Sequence, residues 1–195
     1  MVLDTEVKNY AELFTIARES IKYGVDIVQL RDKNGLAKDI LKFSRRMRNL
    51  LKNRIPYIIN DRVDLAMASA CGVHLGQDDL PIAFARKLMG PKAIIGASCQ
   101  SLKQALVAER QGADYIGLGS VFKTLTKPQR HPMDLNLLAE VVRRIKIPVF
   151  AIGGINVRNL PLVKAAGVQR LAVCRAISCA ADIGQATVLL KKSLA

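Results

Sequence analysis

Polar and charged side chains alternate in the segment Gln29-Leu30-Arg31-Asp32-Lys33. In an extended chain this alternation places Gln29, Arg31 and Lys33 on one side. Arginine can bind an anion with two parallel hydrogen bonds, and lysine adds a compact positive charge. The segment therefore predicts a diphosphate-binding surface, although the same pattern is also typical of a solvated strand end.

Two carboxylates follow neighbouring apolar segments further along the chain. Asp61 comes after Asn60, and Asp79 ends the run His74-Leu75-Gly76-Gln77-Asp78-Asp79. If both lie at the tips of adjacent strands, they can share one Mg²⁺, a hard ion that prefers oxygen ligands and substrate phosphates. The alternative is that each aspartate caps the helix after it, and the two roles could coexist.

Hydroxyls and glycines in the second half of the chain predict a second anion site. Ser98 follows Gly96-Ala97, and the hydroxyls and the lysine of the later segment Thr124-Leu125-Thr126-Lys127 can bind phosphate. The pair Gly153-Gly154 can expose backbone N–H groups to a phosphate, and Cys174-Arg175 follows a later apolar run. Phosphate binding is favoured over a simple turn at the glycine pair.

The elements that must position these residues alternate regularly. Short β-branched runs predict seven strands: 25–30, 56–59, 73–75, 93–95, 115–118, 148–152 and 170–174. Longer amphipathic segments predict helices: 10–22, 37–52, 63–69, 81–89, 102–111, 135–145, 158–166 and 181–193. Such alternation indicates a parallel sheet.

The number of units favours an α/β fold of the (β/α)8 TIM-barrel class over a doubly wound sheet, which normally stops at five or six strands. We expect a single barrel domain over residues 1–195, with the polar residues at the carboxyl ends of its strands. Only Met1-Val2-Leu3 precedes Asp4, so the first strand is expected to be truncated. Both of its neighbours would then keep unpaired edges.

The composition limits the other functional classes. The net charge of +14 fits nucleic acid or small polyanions, but the absence of Trp and the few Phe and Tyr argue against a base-stacking surface. No apolar run is long enough to cross a bilayer, and the first ten residues are not those of a signal peptide. We therefore expect a cytoplasmic protein with reduced cysteines, small phosphorylated partners, no nucleic-acid or membrane partner, and possible homo-oligomers.

An ordered set of motifs between Val28 and Ile177 resembles the thiamine-phosphate synthases and the related thiazole tautomerases. The motifs are VQLRDK, IINDRVDLA, GVHLGQDDL, IIGAS, ADYIGLGSVFKTLTK, VFAIGGI and LAVCRAI. Each is common by itself, whereas their order is specific. The resemblance implies a transferase that joins a pyrimidine diphosphate to a thiazole phosphate by a dissociative, Mg²⁺-assisted substitution.

The resemblance also implies a role for each site residue. The residues that it places on the pyrimidine diphosphate are Gln29, Arg31, Lys33, Asn60, Ser98 and Lys127, of which Arg31, Lys33 and Lys127 would neutralise the leaving group. Asp61 and Asp79 would bind Mg²⁺. The residues that it places on the thiazole phosphate are Thr124, Thr126, Gly154, Cys174 and Arg175.

Two departures from the family pattern bear on the activity. Relatives have histidine where this chain has Gln100, and often proline where it has Lys123. The histidine is a proposed acid–base group of the tautomerases, and glutamine cannot exchange protons near neutral pH. Gln100 and the GQDD motif thus favour the synthase over the tautomerase, with a non-catalytic regulator that binds thiamine precursors as a third alternative.

Overall fold

Eight parallel strands form one sheet in the order of the chain, as the predicted (β/α)8 barrel requires. The computed structural model describes residues 1–126 and 128–194. The strands are β1 (Val2–Asp4), β2 (Val28–Arg31), β3 (Tyr57–Asn60), β4 (Gly72–Leu75), β5 (Ile95–Cys99), β6 (Tyr115–Leu118), β7 (Val149–Ile152) and β8 (Leu171–Ala172). The barrel prediction is confirmed.

Helices follow the strands and cover the outside of the barrel. They are α1 (Tyr10–Lys22), α2 (Ala37–Leu51), α3 (Val63–Ala68), α4 (Ile82–Met89), α5 (Leu102–Arg110), α6 (Leu135–Arg144), α7 (Leu160–Ala165), α8 (Arg175–Ser178) and α9 (Ile183–Leu194). Side-chain caps begin several of them: Asn9 and Glu12 form a reciprocal capping box at α1, and Ser101 caps α5. None of the described helices is both long and apolar enough to pass through a membrane.

The alternation of side chains along each strand separates the core from the site. In β4, Val73 and Leu75 are buried in the hydrophobic core that the strands share with the helices. His74, between them, lines a cavity inside the barrel. Successive residues of a strand point to opposite faces, so the same segment supplies both packing and function.

The first strand is short, but it is paired. Val2, Leu3 and Asp4 are in register with Gln29, Leu30 and Arg31 of β2. On the other side the Val2 amide donates to the Val173 carbonyl at 2.8 Å, just beyond the end of β8. The expectation that a three-residue strand leaves both neighbouring edges unpaired is therefore wrong, because the strands it meets are themselves only two to four residues long.

Candidate active site

A cavity of about 170 Å³ lies inside the barrel and collects most of the predicted site residues. The predicted residues among its lining are Gln29, Arg31, Asn60, Ser98, Thr124, Thr126, Gly154, Cys174 and Arg175. Lys33, Asp61 and Asp79 are not part of this lining. Lys33 is paired with Asp61, and Asp61 lies beside Asp79. Lys127 lies outside the described residues.

Arg31, the last residue of β2, is almost completely buried and already paired. Its Nη1 donates to Asp4 Oδ2 at 2.7 Å and to Glu6 Oε2 at 2.8 Å. Its Nε is buried and has no hydrogen-bond partner among the described residues. Burial opposes the charge, but Glu6 and Asp4 outweigh it and raise the pKa of the guanidinium. Arg31 thus stays cationic and retains an unused donor in the cavity wall.

Lys33, Asp61 and Asp79 form a charged cluster that connects the ends of β2, β3 and β4. Lys33 Nζ lies 2.5 Å from Asp61 Oδ2, and Asp61 is within hydrogen-bonding reach of Asp79. Asp61 has a φ of 65°, a left-handed conformation that is costly for residues other than glycine and is typical of functional positions. Burial, and then the neighbouring Asp61, raises the pKa of Asp79. Two close carboxylates with one lysine therefore leave negative charge to be neutralised.

The alternative that these aspartates cap helices is not what the structure shows. Asp79 Oδ2 accepts a hydrogen bond from the backbone amide of Gly76, which precedes it, at 2.6 Å. Neither α3 nor α4 has a side-chain cap at its first residue. The two carboxylates are therefore directed toward each other and toward Lys33.

The donor chemistry of this cluster suits a hard divalent cation. Among the described residues there is no group of three or more His, Cys, Asp or Glu side chains able to enclose a metal ion. Mg²⁺, however, is usually held by one or two carboxylates, with water and substrate phosphates completing its shell. Asp61 and Asp79 match that pattern, and a cation there would relieve the repulsion between them.

A hydrogen-bonded chain that sequence reasoning missed crosses the cavity. His74 Nδ1 is 3.1 Å from Tyr115 Oη, and His74 Nε2 is 2.9 Å from Ser98 Oγ. Burial raises the pKa of the same tyrosine, and Gln29, which lies beside it, partly offsets that rise. Gly96 makes room for the ring, since a Cβ there would lie 2.1 Å from Tyr115 Cζ. The available signal was a histidine between two apolar residues of a strand, which must face inward if its neighbours face outward.

The loop that carries Lys33 is held by Asp32. The Tyr10 hydroxyl of α1 hydrogen-bonds Asp32 Oδ2, and Asp32 Oδ1 accepts from the Gly35 amide at 2.7 Å. A side chain at residue 35 would clash with that carboxylate. Asp32 therefore fixes the turn next to Lys33, and Gly35 permits it.

The other side of the cavity is shaped by glycines and backbone. Gly153 and Gly154 have φ values of 105° and 64°, and a Cβ on Gly154 would lie 2.4 Å from the Lys123 carbonyl oxygen. The Phe122 amide donates to Gly153 O at 3.0 Å, which docks the long loop after β6 on the end of β7. Thr126 follows in the same loop. Only glycine allows so close an approach of the two segments.

Cys174 and Arg175 stand where the chain passes from β8 to α8. The Cys174 carbonyl accepts hydrogen bonds from the amides of Ile177 and Ser178 at 3.1 and 2.9 Å. Burial raises the pKa of the Cys174 thiol to about 12, so that it is not a nucleophile near neutral pH. Arg130, which sequence reasoning did not select, also lines this side of the cavity.

Comparison with known proteins gives a consistent result. Residues 1–177 match the family described as thiamine monophosphate synthase. The chain is 46% identical over 180 residues to a thiamine-phosphate synthase of Gloeobacter violaceus, which covers 91% of this chain but only 53% of that protein. It is 43% identical to that of Fusobacterium nucleatum, covering 87% of this chain and 83% of the relative.

A solved structure supports the same relationship. Thiamine phosphate pyrophosphorylase from Pyrococcus furiosus superimposes with a TM-score of 0.88 at 37% identity, covering 99% of this chain and 93% of the other. The chain spans about half the length of the Gloeobacter relative and most of the length of the other two.

Proposed function

The chain belongs to the thiamine monophosphate synthase family, and on that basis we propose that it joins an aminopyrimidine methyl diphosphate to a thiazole phosphate. The products are thiamine phosphate and diphosphate. The observation that carries the proposal is one cavity whose two sides are lined by unlike groups. One side has paired charges around Arg31, and the other has the glycine and threonine loops. Two phosphorylated substrates that meet end to end need such a pair of sites.

The reaction requires little proton transfer. The bond between the pyrimidine methylene carbon and the diphosphate oxygen breaks first, and diphosphate leaves with the electron pair. The thiazole nitrogen then donates its lone pair to the cationic carbon and forms the new C–N bond. The enzyme must neutralise the departing charge and hold the two partners in line.

The residues that neutralise the charge of the departing diphosphate lie on the side of the cavity formed by β2, β3 and β4. Arg31 and Lys33 hold the diphosphate by their positive charges, and Lys127 joins them in the proposal. Asp61 and Asp79 would hold Mg²⁺, which supplies a further positive charge to the leaving group when bound. Lys33 is paired with Asp61 in the described structure, so a cation between the carboxylates would free it for the phosphate.

Alignment of the two substrates is assigned to the polar side chains of the cavity, to backbone groups and to the start of α8. Gln29, Asn60 and Ser98 would orient the pyrimidine diphosphate, with Ser98 itself held through His74 and Tyr115. The phosphate of the thiazole would be held by Thr124, Thr126, the backbone at Gly154 and the start of α8 at Cys174 and Arg175. The substrates are thereby fixed at opposite ends, with their reacting atoms between them.

The direct test is to incubate the purified chain with both substrates and Mg²⁺ and to measure thiamine phosphate by its oxidation to fluorescent thiochrome. Product should form only when both substrates and the metal are present. Conversion of a thiazole tautomer without the pyrimidine would instead identify a tautomerase. Tight binding of both substrates by calorimetry without product would identify the non-catalytic regulator. A cytoplasmic location and a homo-oligomer stay predictions.

A further inference from the structure

The carboxylates of Asp4 and Glu6 contact the same nitrogen of Arg31 but differ in burial. Both accept from Nη1, at 2.7 and 2.8 Å. The side chain of Asp4 is completely buried, whereas that of Glu6 is 47% exposed. Asp4 is therefore part of the barrel interior, whereas water can compete with Glu6 for the guanidinium.

Hydrogen bonds fix both the carboxylate and the backbone of Asp4. Its Oδ1 accepts from the Glu6 amide at 3.0 Å, and its carbonyl accepts from Val7 and Lys8. It is also the residue of β1 that lies in register with Arg31 in β2. Because its backbone and carboxylate are both fixed, Asp4 can hold the guanidinium in one orientation.

The Nε donor of Arg31 is buried beside the cavity and is not paired within the described part of the protein. Arg31 is 9% exposed and lines the cavity. In a guanidinium, Nε lies on the side away from Nη1 and can form a fork with Nη2 that matches two phosphate oxygens. Buried donors are nearly always satisfied, so an unpaired donor beside a cavity points to a ligand.

We propose that Asp4 is a positioning residue: it fixes Arg31 through Nη1 so that Nε faces the diphosphate of the pyrimidine substrate. This inference rests on the proposed function for the identity of its ligand. Asp4 touches neither substrate, and it acts only through the orientation of Arg31. Glu6 shares the nitrogen but is half exposed, and solvent screens its contribution.

A positioning role of Asp4 and a purely electrostatic role predict opposite changes in anion binding, so the two can be distinguished. Asp4→Asn and Glu6→Gln each remove one negative charge from the same nitrogen. If charge alone mattered, both changes would strengthen the binding of an anion. If Asp4 positions Arg31, Asp4→Asn weakens binding by about 10-fold, the value of one charged hydrogen bond, while Glu6→Gln does not weaken it.

The probe is inorganic diphosphate with Mg²⁺, titrated calorimetrically into the full chain and into Asp4→Asn, Glu6→Gln, Arg31→Ala and the double variant Asp4→Asn/Arg31→Ala. The double variant should bind no more weakly than Arg31→Ala, because Asp4 has nothing left to orient. A further tenfold loss in the double variant, or binding by Asp4→Asn as tight as that of the wild type, overturns the proposal.

If circular dichroism shows that Asp4→Asn does not fold, Arg31→Lys is the variant to test. It keeps a cation beside Asp4 but has no Nε. It is expected to bind diphosphate about 10-fold more weakly, and binding as tight as that of the wild type overturns the proposal. In turnover, Asp4→Asn should raise the KM for the pyrimidine substrate and not that for the thiazole phosphate. Diphosphate binding without synthesis of thiamine phosphate would reject the proposed function while leaving this inference intact.

Discussion

The two sides of the cavity are built from different chemical groups. On the side of β2 to β4, charged side chains are paired with one another: Arg31 with Asp4 in the interior, and the more exposed Lys33 with Asp61. On the side of β6 to β8, the shape comes from Gly153 and Gly154 packed against the loop after β6. The first side should be sensitive to changes of charge and the second to changes of volume.

The difference extends to the sign of the charge. We call the side of β2 to β4 the early side and the side of β6 to β8 the late side. The carboxylates that adjoin the cavity all belong to the early side: Asp4, Glu6, Asp61 and Asp79. Among the described residues that line the late side, Arg130 and Arg175 are charged and none is acidic. Only the early side can therefore hold a cation together with an anion, which suits a metal-bound diphosphate, while the late side suits a simple phosphate.

The largest effect is expected from the carboxylates of the early side. Asp79→Asn should lower kcat by about 100-fold or more, because it removes half of the proposed metal ligands. Burial beside Asp61 raises the pKa of Asp79, so its charge opposes folding above that pKa, and the variant should melt no lower at pH 7. Steady-state kinetics and a thermal melt check both statements.

A chelator should reproduce this loss in the wild-type chain, and added Mg²⁺ should restore activity. Asp64, an exposed aspartate paired with Arg62, provides the matched control, and Asp64→Asn should leave kcat unchanged. Full activity in excess chelator, or in the Asp61→Asn/Asp79→Asn double variant, would show that the early side holds no metal needed for the reaction.

On the late side the corresponding change is one of volume. Gly154→Ala should raise the KM for thiazole phosphate by about 10-fold or more and cost about 1–3 kcal/mol of stability, since its Cβ would clash with the Lys123 carbonyl at a positive φ. The KM for the pyrimidine substrate should change far less. Both constants are read from initial rates with the other substrate saturating.

Gly90 is the matched control, because its φ is 83° but a Cβ there would meet nothing within 4 Å. Gly90→Ala should cost about 1–3 kcal/mol from backbone strain alone, because its ψ of 174° at positive φ is a conformation essentially restricted to glycine, and both KM values should stay intact. Equal effects of the two glycine variants on KM would mean that Gly154 has no special relation to the substrate.

A smaller effect is expected from a single hydroxyl on the late side. Thr126→Val keeps the shape of the side chain and removes one hydrogen bond, so the KM for thiazole phosphate should rise about 10-fold at most. Thr15→Val on the exposed face of α1, where the hydroxyl only bonds Ala11 O, is the control and should change neither KM. A rise of equal size in both substrate constants would place Thr126 between the two sites.

The barrel could be predicted from the sequence because it follows from periodicity, and nine of the predicted site residues line the cavity. Strand β5 shows the limit: the apolar run 93–95 predicted it, yet the strand runs from Ile95 to Cys99. Gly96, Ala97 and Ser98 have low strand propensity, and pairing with both β4 and β6 overrides it. The pairing of β1 was likewise missed, since strand length alone does not show how short its neighbours are.

Side-chain partners were the part that sequence could not supply. Arg31 and Asp4 are 27 residues apart, and His74 and Tyr115 are 41 apart, and no local pattern joins them. The register of parallel strands brings each pair together only after the barrel closes. Sequence reasoning thus found residues that act alone at strand ends, and it missed residues that act through a neighbour.

The smallest effect is expected at Cys174, where the late side should depend on backbone and not on the side chain. Burial raises the pKa of this half-buried thiol to about 12, so it stays protonated at pH 8 and contributes neither charge nor covalent chemistry. Cys174→Ala should therefore change kcat and both KM values by no more than about twofold, in contrast to Asp79→Asn on the early side. Iodoacetamide at pH 8 should label the exposed Cys179 and leave Cys174 unmodified, as mass spectrometry of the peptides would show. A tenfold loss of activity, or labelling of Cys174 as fast as that of Cys179, would mean that the late side also works through a reactive side chain.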